Sequence, residues 1–153
     1  MKPFFKTVLL TGLFVGSTDI IAAFTSQYIK TGQFAAKMFH YIAGGALGLE
    51  SSMKGGTAVA FLGLFFHYFI AFAFTLFFFL IFPRLKFLAF NKYLVGMLYG
   101  VFVAETMRLI ILPLTPLPPN GFDLARSVVG WHTLGVVLGI PIVYNAYKYY
   151  GIK

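Results

Sequence analysis

The chain predicts an all-α fold: an integral membrane four-helix transmembrane bundle with one short interfacial or re-entrant helix. Three observations lead there. Of its 153 residues 59% are hydrophobic and 20% aromatic, while only 10% are charged, against about 25% charged in an average soluble domain. Four apolar stretches are long enough to cross roughly 30 Å of hydrocarbon, which takes about 20 helical residues. A soluble domain of this size leaves much of its surface exposed and has nowhere to hide so much Phe and Leu.

The first span covers about 7–29. The basic start, Met1-Lys2-Pro3-Phe4-Phe5-Lys6, has the character of a signal peptide, and Ala22-Ala23 has the small residues of a cleavage site. Asp19 interrupts the apolar run, however, and the run continues to Tyr28-Ile29, so the segment is expected to remain as the first helix. Residues 35–49 are apolar but too short to span, and they carry Lys37, His40, Gly44, Gly45 and Gly48. They read as the interfacial or re-entrant helix. The second span, about 57–82, is stopped by Pro83. The third, about 93–112, is stopped by Pro113. The fourth, about 124–147, contains Pro141, where a kink is expected. The connections 83–92 and 115–123 read as tight loops, the second rich in Pro and turn residues. The whole chain, 1–153, reads as a single transmembrane domain.

Lys and Arg in short loops set orientation. Lys2, Lys6, Arg84, Lys86, Lys92, Lys148 and Lys153 fall on one side, with Lys30, Lys37, Lys54 and Arg126 on the other. The bias puts both termini in the cytoplasm, and Tyr144, Tyr147, Tyr149 and Tyr150 suit an inner interfacial belt. The net charge of +8 does not indicate nucleic acid. The basic residues are scattered singly near helix ends, where they meet lipid head groups, and no basic stripe carries aromatics to stack bases. The absence of cysteine excludes disulfides and thiolate metal sites.

Five ionisable residues lie inside the spans: Asp19, His67, Glu105, Arg108 and His132. A charge at bilayer depth costs roughly 3 kcal/mol or more, so such residues usually face a bundle interior and often mark a site. Counted from the outer helix ends at about 1.5 Å per residue, all five fall in a layer roughly 6–15 Å deep. The inner halves of the spans hold no acid, base or histidine. An outward-facing polar pocket over an apolar plug is the expectation. At helical period, Gly12, Gly16, Asp19 and Ala23 share a face; so do Gly56, Ala60, Gly63 and His67; so do Val128, His132, Gly135, Gly139 and Val143. Small residues at this spacing let membrane helices approach closely. On the third span Gly96, Gly100, Val103 and Met107 form the small face, and Glu105 and Arg108 point elsewhere as i, i+3 neighbours able to pair. The Phe-rich run 72–82 reads as lipid-facing bulk, and His40 as a structural residue near the interface.

Each site residue also has a plain structural reading. Asp19 could be held by Ser17, Thr18 or Arg108, Glu105 and Arg108 could neutralise each other, and the two histidines could bridge helices. The functional reading gives Arg108 an anionic group and leaves proton exchange to the histidines and carboxylates. No nucleophile motif, P-loop, HExxH or dinucleotide fingerprint is present, so no catalytic residue, metal ligand or cofactor is assigned and enzymatic activity is not the expectation.

Two blocks carry a resemblance. Leu64-Phe65-Phe66-His67-Tyr68 running on to Phe82-Pro83-Arg84-Leu85-Lys86, and Leu112-Pro113-Leu114-Thr115-Pro116 followed by Phe122-Asp123-Leu124 and His132, are similar to the second half of the YagU-like bacterial inner-membrane proteins. The first half, with His40-Tyr41-Ile42-Ala43-Gly44-Gly45 and Gly55-Gly56, resembles a broader group of bacterial four-helix proteins. That group leads one to expect Met-Asn where this chain has Met107-Arg108, and Ser where it has Thr115. The resemblance implies a bacterial inner-membrane protein of unassigned activity and supplies no catalytic residues.

The leading functional expectation is a small multi-pass protein that binds a small ligand, ion or lipid head group at these five residues, for transport or sensing. Its partners would be the bilayer, a small anionic ligand or proton, and a second copy of itself. The alternatives are an accessory or homo-oligomeric subunit whose buried polar residues are purely structural, and a redox subunit with haem between His67 and His132.

Overall fold

The computed structural model describes residues 3–118 and 121–152. Met1, Lys2, Pro119, Asn120, Lys153 and the side chain of Lys86, all of which figure in the loop and orientation reading, lie outside them. Among the described residues there are helices and no strands. Helix α1 is Phe4–Thr31, α2 Met38–Leu47, α3 Leu49–Met53, α4 Thr57–Ile81, α5 Lys92–Thr106, α6 Leu124–Leu134 and α7 Ile140–Tyr150. Counting their irregular continuations, four helices are long and apolar enough to cross a membrane: Phe4–Thr31, Thr57–Arg84, Lys92–Leu114 and Leu124–Tyr150. The short helix expected at 35–49 is α2, and a further one-turn helix, α3, follows it. They are broken at Gly48, whose φ of 81° lies in the left-handed region that favours glycine.

Each long helix begins or ends where its chemistry dictates. Asn91 caps α5, its Oδ1 accepting from the amides of Tyr93 and Leu94 at 3.0 and 3.1 Å. Asp123 caps α6 by accepting from the Arg126 amide at 2.7 Å. The three prolines inside or at the ends of spans each disturb the ladder they enter. Phe82–Arg84 tightens to a 3₁₀ turn at Pro83. The i→i+5 turns Met107–Ile111 and Gly135–Gly139 each end two residues before a proline, Pro113 and Pro141. A proline has no N–H for the carbonyl one turn back, and a wider turn is one way a helix absorbs that loss.

Two of the released carbonyls find donors from other helices. Thr18 Oγ1 on α1 donates to the Val137 oxygen at 3.0 Å, four residues before Pro141. The Tyr150 hydroxyl donates to the Phe79 oxygen at 2.7 Å, four residues before Pro83. Both bonds tie helices together while answering carbonyls that proline leaves without an intrahelical donor.

Glycines set the helix spacing. A Cβ on Gly12 would strike the Phe72 ring of α4, and one on Gly16 the Tyr68 ring. A Cβ on Gly63 would overlap the Phe39 carbonyl of α2, so α2 lies directly on α4. α5 crosses the fourth long helix backbone to backbone. A Cβ on Gly100 would collide with the Gly135 backbone, and one on Gly139 with the Gly96 carbonyl oxygen. Gly56, read on the same face as Gly63, is exposed and has no atom near its missing side chain.

The core fills the half of the bundle that contains both termini. Phe78, Phe79, Ile142, Val143 and Ala146 are fully buried, with Phe82, Tyr99 and Tyr147 nearly so. Phe4 packs on Tyr149 at 5.7 Å between ring centroids, and the Tyr147 hydroxyl donates to the Leu88 oxygen at 2.6 Å. The start of α1, the ends of α4 and α7 and the α4–α5 connection therefore share one end. This corrects the reading of the 72–82 run as lipid-facing bulk. Thr75, Phe78, Phe79 and Phe82 form an inward stripe at i, i+3, i+4, i+7, and only residues such as Phe77 and Leu80 face outward.

Two substitutions test this spacing. Gly139→Ala should destabilise by about 1–3 kcal/mol, the usual cost of overpacking, whereas Gly130→Ala, with open space around it, should be neutral or slightly stabilising. Equilibrium unfolding of the purified protein in detergent checks both. Thr18→Val, which leaves the Val137 carbonyl unanswered, should cost on the order of 1 kcal/mol by the same assay.

Candidate functional site

The polar residues resolve into two groups and a lone histidine. In the first group, three consecutive residues of α1 spend their polar atoms on other helices. The Gly16 carbonyl, uncovered because glycine has no side chain, accepts from His67 Nε2 of α4 at 2.9 Å. A carbonyl can only accept, so Nε2 carries the proton. Ser17 Oγ donates to the Leu13 oxygen at 2.8 Å, which leaves it to accept from the Tyr68 hydroxyl, also at 2.8 Å. Thr18 reaches Val137 as described. Asp19 comes next on the helix. Its Oδ2 lies 3.9 Å from His67 Nε2, beyond hydrogen-bond distance, and its carboxylate makes no hydrogen bond among the described residues.

The second group joins α5 to α6. Glu105 Oε2 accepts from Arg108 Nε at 3.0 Å and from Nη2, and Oε1 accepts from Trp131 Nε1 at 2.8 Å. Both carboxylate oxygens are thus engaged. Arg108 stands in the wide turn Met107–Ile111, and its guanidinium rests over the Phe122 ring at 5.1 Å, a cation–π placement. Glu105 uses two of its five N–H groups. The remaining three, two on Nη1 and one on Nη2, have no protein acceptor among the described residues. Arg108 lines a cleft of about 330 Å³ with Tyr41, Leu112, Pro113, Thr115 and Leu117.

A second cavity of about 390 Å³ adjoins this cleft and shares Tyr41, Leu112, Thr115 and Leu117 with it. Its own walls are Ile42, Gly45 and Ala46 of α2, Phe66, Phe69 and Ile70 of α4, and Met107 and Ile111. The two spaces together have the size and composition of ligand sites, mostly apolar with a few polar groups. A larger gap of about 610 Å³ near the α4–α5 connection is lined by apolar side chains and Tyr99. The Tyr99 hydroxyl is already spent on the Phe74 oxygen at 2.6 Å, so nothing there orients a ligand.

The five predicted residues do not form one cluster. Asp19 lies near His67, and Glu105 pairs with Arg108, but among the described residues no hydrogen bond or ion pair joins the two groups. His132 is exposed, which corrects its placement on the packed face of Gly135 and Gly139. Trp131 turns its indole to Glu105, and the next residue, about 100° round the helix, points away. The wide turn at Gly135–Gly139 then changes the phase, so a constant helical period cannot be carried across it. With His67 Nε2 on the Gly16 carbonyl and His132 exposed, the two imidazoles do not form an opposed pair for haem. Among the described residues no three His, Asp or Glu gather where they could hold a metal ion. His40 bonds through Nε2 to the Gly55 oxygen at 3.2 Å, and its Nδ1 is buried without a partner.

Sequence reasoning missed Trp131, Tyr41, Phe122 and Thr115. Trp131 had a signal: it is the only tryptophan, and a buried indole N–H needs an acceptor. Tyr41, Thr115 and Phe122 had none, because the first two reach the cleft, and Phe122 reaches the Arg108 guanidinium, from a short helix and a loop that no periodicity places. Comparison with known protein families, curated proteins and solved structures finds no match to this chain.

The Glu105–Arg108 pair makes a prediction with a clear sign. Arg108→Met alone should lower the thermal midpoint in detergent more than Glu105→Gln/Arg108→Met does. The single change strands a carboxylate in apolar surroundings, and the double change removes the charge with its partner.

Proposed function

We propose that this is a multi-pass protein of the bacterial inner membrane, with both termini in the cytoplasm, that binds a small anionic ligand at Arg108 in its outer half, for transport or sensing. Membrane residence is supported by the four long apolar helices and by large exposed side chains such as Phe5, Leu10, Phe61, Phe65 and Leu98, which water would not favour. The orientation is supported by the bias of Lys and Arg toward the end that holds both termini. The YagU-like motifs support the bacterial inner membrane.

One observation carries the ligand reading: a fixed arginine with three unanswered N–H groups at a cleft. Glu105 and Phe122 hold the guanidinium on one edge and one face, and the remaining edge is left for a planar or tetrahedral anion. Glu105 is tied in turn by Trp131, so the arginine is positioned before any ligand arrives. The α1 group favours a structural role for Gly16, Ser17, Thr18 and Tyr68, which spend their polar atoms on holding α1, α4 and the fourth long helix together, and His67 joins them through Nε2 alone. Asp19 and His67 remain the residues suited to exchange a proton.

Inorganic phosphate is the simplest probe. It should raise the thermal midpoint of the purified protein in detergent, as any ligand of the folded state does. The shift should persist in His132→Ala, whose side chain is exposed, and vanish in Arg108→Met. An equal shift in all three proteins would defeat the assignment to Arg108.

A further inference from the structure

We propose that the anion is the phosphate head group of a membrane lipid, with its acyl chain in the apolar cavity beside the cleft. The inference rests on the Arg108 reading and names its ligand class.

Continuity comes first. The polar cleft and the apolar cavity share four lining residues, which sets a site for the anion and a site for the chain side by side. Polarity comes second. The cleft offers guanidinium N–H groups and Tyr41, whose hydroxyl makes no hydrogen bond among the described residues, whereas the cavity is walled by Phe66, Phe69, Ile70, Met107 and Ile111. A free phosphate would use only the first of these spaces.

Depth comes third. Arg108 lies six residues before Leu114, the end of its span, or about 9 Å below it at the helical rise. That is within snorkelling reach of the head-group layer. Phe66 and Ile70 lie nine and thirteen residues from Thr57, where α4 begins at the same end, or about 14 and 20 Å down. The cavity therefore runs from the cation toward the bilayer middle, the direction a lipid chain takes from its phosphate. Access comes last. Phe69 is 60% exposed and Tyr41 37%, so the rim opens sideways to where bilayer chains lie.

Three probes separate the sources: phosphatidylglycerol, which has chain and anion; sn-glycerol 3-phosphate, the anion without the chain; and diacylglycerol, the chain without the anion. Binding is read by native mass spectrometry and thermal shift on the full-length protein in detergent. Phosphatidylglycerol should bind at least about tenfold more tightly than either of the others, a difference of about 1.4 kcal/mol. Ala46→Trp, at an exposed residue of the cavity wall, should abolish that advantage while leaving glycerol phosphate binding unchanged. Ala46→Leu should do so in part, which guards against a misfolded Trp variant. Equal binding of phosphatidylglycerol and glycerol phosphate by the unmodified protein, or an advantage that survives both Ala46 variants, would overturn the lipid assignment and leave the Arg108 reading standing. Binding of both phosphates that is indifferent to Arg108→Met would instead remove the Arg108 reading itself.

Discussion

The backbone contact between α5 and the fourth long helix is the constraint on which the Glu105–Arg108 group depends. Gly96 and Gly100 meet Gly135 and Gly139 with no side chain between them. Apolar side chains gain little by leaving lipid for a helix interface, so association in a bilayer relies on close packing and interhelical hydrogen bonds. The glycines supply the closeness. They bring Trp131 within 2.8 Å of Glu105, and that bond in turn orients the carboxylate that holds Arg108. Widening the crossing by one methyl group would therefore reach the arginine through two intermediates.

A second theme is the fate of backbone carbonyls that proline releases. Hydrocarbon offers them no water, and each must be answered inside the protein. At Pro83 and Pro141 the answer is a hydroxyl from a different helix, Tyr150 and Thr18. The cost of placing a proline in a span is thus turned into a cross-link between helices. Thr18 Oγ1 also lies 3.1 Å from the Phe14 and Val15 oxygens of its own helix, so its single proton is shared between its own helix and its neighbour.

Much of the architecture was legible because its signals are one-dimensional. Span length, apolar content and the prolines at 83 and 113 mark the helices to within a few residues. The glycine faces of α1 and α5 follow from a constant period, and Gly12, Gly16, Gly96 and Gly100 are indeed at close contacts. The same reasoning failed at His132, where Trp131 takes the inward direction and the wide turn beyond it resets the phase. It failed at Phe78, Phe79 and Phe82, because composition says that a phenylalanine is in apolar surroundings and not whether those surroundings are lipid or protein. The Glu105–Arg108 pair was visible as an i, i+3 spacing. The groups that surround it were not, since Tyr41 and Thr115 of the cleft and Phe122 under the guanidinium come to Arg108 only in three dimensions.

The two wide turns bear on how this chain can change its length. An i→i+5 turn is an α-helical turn with one residue inserted, the extra residue being taken up locally without rotating the helix on either side. Removing one residue from 135–139, for example the exposed Val136, would restore a regular turn and keep Trp131 and Ile142 on their present faces. Removing one residue elsewhere in the same helix would swing everything beyond it by about 100°. Within the long helices, single-residue length variation among natural homologues of this chain should therefore concentrate at 107–111 and 135–139, at positions other than Arg108, Gly135 and Gly139.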